Sequence, residues 1–151
     1  MARYFLDSSA LVKRYHQEDG TAVVEGLFNR PGSRFFISRL ALVEVHSSFA
    51  RLVREKVLTE TDFGKLIARL EDDVATGVLA VAAVSSRRLA GASFLLGTHG
   101  LTHTMRTLDA IHLSTAQTLH SRTQAVAFVA ADKKLLAVAA TACGLAVLDV
   151  G

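Results

Sequence analysis

Arg3-Tyr4-Phe5-Leu6-Asp7-Ser8-Ser9-Ala10-Leu11 is the stretch on which the reading of the fold turns. Four residues of strand character stop at an acid, and two hydroxyl residues suited to the start of a helix follow at once. A strand that runs straight into a helix is half of a βαβ unit, the repeat of a parallel sheet. Working outward, the same unit recurs. Gly20 breaks the first helix, and Val23, Val24, Leu27 and Phe28 give a second apolar helical face that stops at Asn29-Arg30-Pro31-Gly32. Arg34 to Ile37 reads as the next strand, and Leu40 to about Lys56 as a helix. Thr59 and Asp62 form a capping box ahead of Phe63, Leu66, Ile67, Leu70 and Val74.

In the second half, Leu79 to Val84 is wholly apolar, the composition of a strand covered on both faces. Ser86 opens a helix that Gly97 and Gly100 end. Another helix is expected from Asp109 to about His120, and a buried strand from Ala125 to Ala131, ending at Asp132. A last helix puts Leu136, Ala139, Ala140 and Cys143 on one face and closes at Gly144, before a final strand over Leu145 to Leu148. The expected fold is α/β: a three-layer sandwich around a central, mostly parallel five-stranded sheet, in one domain over residues 1–151.

Composition narrows the function. Half of the 151 residues are apolar, which suffices for a sizeable core. A charged fraction of 21% with a single Pro argues against disorder. The lone Cys143 excludes an internal disulfide and a multi-cysteine zinc site. No N-terminal segment reads as a secretory signal, and the apolar runs fall well short of the roughly 18 residues of a membrane span. A soluble, cytoplasmic protein with no membrane partner is expected. The net charge of +3 is too mild to name a partner.

The acids are more telling. Open parallel sheets bind ligands beyond the carboxyl ends of their strands, where strand order reverses. Asp7 and Asp132 each follow an apolar strand immediately, and Asp109 opens a helix. Any one of the three is explained by helix capping. Glu44 is not, because it sits within Ala41-Leu42-Val43-Glu44-Val45, where a carboxylate costs several kcal/mol unless paired. An Arg partner, Arg39 or Arg106, would account for it. If the four acids instead converge, they need a cation, and oxygen donors without Cys point to Mg2+ or Mn2+. Such a centre supports hydrolysis of a phosphodiester.

These residues resemble the PIN-domain ribonucleases, and among them the VapC-type toxins of toxin–antitoxin pairs. The resemblance is carried by Phe5-Leu6-Asp7-Ser8-Ser9-Ala10-Leu11-Val12-Lys13, by Ile37-Ser38 with Glu44, by Leu108-Asp109-Ala110-Ile111-His112-Leu113-Ser114-Thr115-Ala116, and by Ala130-Ala131-Asp132-Lys133-Lys134-Leu135. It implies a PIN-like sheet in the order 3-2-1-4-5 and an endoribonuclease dependent on Mg2+ or Mn2+. It also implies a homodimer and a separate antitoxin chain that covers the active site. Asp7, Glu44, Asp109 and Asp132 would be the catalytic acids. Asp7 and Asp109 would bind the ion directly, with Glu44 and Asp132 acting directly or through water. Many members carry Thr or Ser where this chain has Ala130, which leaves Asp132 the least secured of the four.

Other features read more blandly. His112 follows Asp109 by three residues and is expected to be a packed, hydrogen-bonded histidine that at most supports the site. His46 should face away from Glu44, and His99 with His103 makes a weak zinc pattern across a glycine. Arg51, Arg54, Lys56, Arg87 and Arg88 read as solvated faces. Cys143 reads as core. The competing functions are metal-free RNA cleavage by a His pair, an aspartyl-phosphate domain, and a catalytically weak PIN-like module that binds RNA or protein.

Overall fold

The structure, a computed structural model, describes residues 1–123 and 125–151, and the side chains of all of these but 121–123. Five strands, β1 (Arg3–Leu6), β2 (Arg34–Ser38), β3 (Leu79–Ala82), β4 (Ala127–Ala130) and β5 (Ala146–Asp149), form one sheet in the order β3-β2-β1-β4-β5. Every neighbouring pair is parallel. The helices between them are α1 (Ser8–Leu11), which runs into a 3-10 turn, α2 (Thr21–Phe28), α3 (Arg39–Arg54), α4 (Glu60–Ala75), α5 (Ser86–Thr98), α6 (Thr107–Thr123) and α7 (Lys133–Cys143). Among the described residues no helix is long and apolar enough to cross a membrane.

Strand periodicity explains the three layers. Successive side chains of a strand point to opposite faces. Tyr4 and Leu6 therefore join Leu11, Val24, Ile37 and Phe49 in one core, while Phe5 joins Leu113, Phe128 and Leu136 in the other. Phe5 pairs in register with Phe36 on one side and Phe128 on the other, so β1 is the middle of the sheet. The chain leaves β1 toward β2 and returns on its other flank as β4. The reversal of strand order thus falls at the carboxyl end of β1, where Asp7 stands. Gly20, at φ +83°, starts α2 against the C-terminal residues; a Cβ there would lie 1.8 Å from the Val150 carbonyl oxygen.

Several boundaries differ from expectation. The apolar run Leu79–Val84 is an edge strand that stops at Ala82, and only Leu79 in it is buried. Its composition misled because a strand with one partner has less cover than a central one. The strand expected over Ala125–Ala131 is the shorter Ala127–Ala130, and the last strand begins at Ala146 rather than Leu145. Helix α6 begins at Thr107, so Asp109 is its third residue rather than its opener.

Candidate active site

Asp7 caps α1 in an extended conformation. One carboxylate oxygen, Oδ2, accepts the Ser9 N–H at 3.3 Å and the Ser9 hydroxyl at 2.8 Å. The Ser9 hydroxyl in turn accepts the Ala131 N–H at 3.0 Å. A single serine therefore ties the carboxyl end of β4 to the first acid, at the place where the chain has Ala130 instead of a hydroxyl residue. Asp132 caps α7, with Oδ1 accepting the Lys134 and Leu135 N–H groups at 2.8 and 3.2 Å. Asp109 reaches back one turn, and its Oδ2 accepts the Arg106 N–H at 2.9 Å.

Capping and site chemistry are thus not rival readings, because a carboxylate has two oxygens. Each Asp gives one to the backbone. Among the described residues, no protein donor meets Oδ1 of Asp109 or Oδ2 of Asp132, while Asp7 Oδ1 lies 3.7 Å from Nε2 of His112.

Glu44 is held differently. Its Oε2 accepts the Ser8 hydroxyl at 3.0 Å, and its Oε1 is hydrogen-bonded to Nε2 of His112. The expected arginine partner is not the one found. The partner is a histidine 68 positions away, and Arg39 and Arg106 lie exposed. His112 is completely buried, and its Nδ1 lies 2.9 Å from the Ser38 hydroxyl. Ser38 is the N-cap of α3, yet makes no side-chain cap bond. The α3 terminus forgoes a cap normally worth about 1 kcal/mol so that the hydroxyl can hold the imidazole. The sequence motif contained Ser38, but no spacing rule connects it to a side chain 74 residues on.

Electrostatics divide the site. Burial pushes the Asp109 carboxyl above its ordinary value, and the charges of Asp7 and Asp132 add to this against the opposing Arg106 N–H bond. Burial alone would depress His112. The Glu44 hydrogen bond and the charges of Asp7, Glu44 and Asp109 outweigh it and raise the imidazole instead. Asp109 therefore senses both Asp7 and Asp132, and His112 senses Asp7, Glu44 and Asp109. Through these influences Asp7, Asp109 and Asp132 are linked to one another, and Glu44 joins them through His112. Among the described residues, no three acidic, His or Cys side chains stand as closely as they would around an ion. The donor set is nevertheless suited to a hard divalent cation: oxygens only, negative in excess, with Asp109 raised by burial and by its acidic neighbours.

The remaining candidates fall away. His46 is exposed and bonded to its own helix at Leu42. His99 and His103 have their ring centres 6.4 Å apart, and Nδ1 of His103 is turned to the His99 carbonyl. Burial lifts the Cys143 thiol to about 11, which suits core packing rather than nucleophilic attack. Arg51 pairs with Glu55 on an exposed helix face.

The PIN domain family matches residues 4–141. No curated protein matches the chain. Among solved structures, FitAcB from Neisseria gonorrhoeae is similar over 97% of each chain, at 18% identity and a TM-score of 0.67. VapBC2 from Rickettsia felis, bound to a DNA fragment from its promoter, is similar over 97% of this chain and 98% of that one, at 15% identity and a TM-score of 0.64. Mycobacterium tuberculosis VapC20, a sarcin-ricin loop cleaving toxin, is similar over 89% and 94%, at 17% identity and a TM-score of 0.65. At these identities the likeness is one of fold, with the sheet order expected from the sequence. With the family match spanning nearly all of the sheet and its helices, the chain belongs to the PIN-domain family.

Proposed function

We propose that residues 1–151 act as one catalytic domain, an endoribonuclease dependent on Mg2+ or Mn2+ and the toxin of a toxin–antitoxin pair. The observation that carries this reading is the shared use of the carboxylates. Asp7, Asp109 and Asp132 each give one oxygen to a backbone N–H, which leaves the other for an ion, and Asp109 feels the charges of the other two. Asp7 and Asp109 would hold the ion, and Asp132 would reach it directly or through water. Bound there, a divalent ion acidifies a water and stabilises the charge that builds on a phosphodiester.

The chain's own groups do the rest. Glu44, with both oxygens held, is fixed to accept a hydrogen bond from a water at the scissile phosphate. Ser9 keeps Asp7 in place. Arg106, Lys133 and Lys134, which neighbour Asp109 and Asp132 along the chain, would meet the RNA backbone. With four acids committed to the pocket, seventeen basic side chains face ten remaining acidic ones, a balance suited to a polyanion.

The structural relatives supply the biological frame. Two are toxin–antitoxin assemblies or their members by name, and this chain would likewise work in the cytoplasm as a homodimer silenced by a separate antitoxin. The test is purified protein on structured RNA with Mn2+, with and without EDTA. Cleavage should leave 5′-phosphate ends and stop in EDTA. Cleavage undiminished by EDTA, or ending in cyclic phosphates, refutes the proposal; absence of any cleavage together with intact RNA binding would make the chain a binding module.

A further inference from the structure

We propose that the RNA strand on one side of the scissile phosphate lies in a groove between the segment that follows α1 and helices α3 and α4, where Arg51, Lys65 and Arg69 bind its phosphates. This rests on the ribonuclease reading above and deepens it, by naming the path the substrate takes away from the acids.

Two hollows make up the groove. The first, of about 330 Å3, starts at the acids: Ser8 and Ser9 line it, and their hydroxyls are bonded to Glu44 and Asp7. Lys13, His16, Ser48 and Arg51 line it as well. The second, of about 310 Å3, shares His16 with the first and is lined by Lys65 and Arg69. Helix geometry gives the direction. On α3, Ser48 and Arg51 stand four and seven residues beyond Glu44, so the three fall on one stripe, with Arg51 about 10 Å along the axis from Glu44. On α4, Lys65 and Arg69 are four residues apart and share a face. The groove therefore leaves the acids along α3 and continues past His16 to α4.

Charge favours a polyanion. Lys13, Arg51, Lys65 and Arg69 are the cations of the two linings, and Glu18 and Asp62 are the acids. Both acids are committed. Glu18 accepts Nζ of the buried Lys13 at 3.0 Å, and Asp62 completes the capping box of α4. Arg51 is bridged to Glu55 at 3.2 Å, but both side chains are half-exposed. Such a pair is worth at most about 1 kcal/mol, so the guanidinium can turn to a phosphate instead. Lys65 and Arg69 are exposed, and Arg69 lies 5.7 Å from the Tyr15 ring centre. Cations of this kind hold phosphates rather than read bases, so the groove favours length of strand over sequence.

Fluorescence anisotropy with labelled 2′-O-methyl oligouridine in EDTA tests this on the intact chain, since neither a metal-bound water nor a 2′-hydroxyl can then cut the probe. Arg51→Gln, Lys65→Gln and Arg69→Gln each remove one charge at an exposed position. Each should weaken binding several-fold and lower the slope of log K against log salt by about 0.7, the value of one phosphate contact on a single strand. Arg87→Gln, on α5 and outside both linings, should change neither. Unchanged slopes in the three variants, an equal loss in Arg87→Gln, or no binding of the probe at all overturn the inference. Cleavage with Mn2+ alongside unchanged slopes leaves the nuclease reading standing and removes the groove. Reduced slopes in a chain that never cleaves keep the groove and refute the nuclease.

Discussion

Two clusters of charge in this chain are built from similar parts and compensated in opposite senses. In the first, Asp73 accepts Nε and Nη2 of Arg14 at 2.6 and 3.0 Å and the Tyr15 hydroxyl at 2.7 Å. The Arg14 guanidinium also lies 3.8 Å over the Phe28 ring. Burial would raise the Asp73 carboxyl, but the hydrogen bonds of Arg14 and Tyr15 and the nearby charges hold it below its usual value. In the second cluster, Asp109 is raised by burial and by Asp7 and Asp132, with no arginine set against it. An acid that serves the fold is given its cation within the chain. On the proposed function, an acid that would serve chemistry is left short of one, and the deficit is what an ion would fill.

The largest expected effect separates the two. Asp109→Asn should lower RNA cleavage by about 100-fold or more, the scale of losing a group that acts on the transition state, while the melting temperature in EDTA does not fall. Asp73→Asn should do the reverse, costing about 2 kcal/mol of stability through its charged hydrogen bonds and leaving the cleavage rate of the folded protein unchanged. Denaturant melts beside single-turnover assays measure both, and a reversed pattern breaks the comparison.

Acidity sharpens it next. Asp73 has a lowered folded pKa, so its stabilisation is whole above about pH 4 and is lost as pH falls through the folded value. Asp109 and His112 have raised folded values, so their stabilisation is present at low pH and is lost as pH rises through those values. Thermal melts in EDTA across this range should therefore show a neutral-side decline that Mg2+ offsets and an acid-side decline that Asp73→Asn flattens. The smallest effect is local. Ser9→Ala removes the bonds to Asp7 and to the Ala131 N–H, and should cost about 1 kcal/mol with a partial loss of cleavage.

The sequence was most informative where local rules apply. The capping box at Thr59 and Asp62 is present as expected, and so are the helix starts after Asp7 and Asp132. A strand followed at once by an acid picked out two of the four candidate residues, Asp7 and Asp132, because chain direction alone puts such acids at the carboxyl edge of a parallel sheet. Two kinds of information were missing. Strand cover was one: Leu79–Val84 reads as doubly buried, but its neighbours in space are not its neighbours in sequence. Long-range pairing was the other. Glu44 needed a partner, and composition offered arginines, whereas the fold brought Ser8, His112 and, behind it, Ser38. A residue's need can be read locally, but the group that meets it is chosen by topology.

The division of labour between the two oxygens of each Asp has an evolutionary consequence. An asparagine keeps an acceptor oxygen that can hold the same backbone N–H, and loses the charge. On the proposed function, a single base change in any of these three Asp codons would therefore disarm the chain without unfolding it. Damaged copies of such a gene would persist as well-shaped, inert proteins able to occupy whatever partner recognises the intact surface.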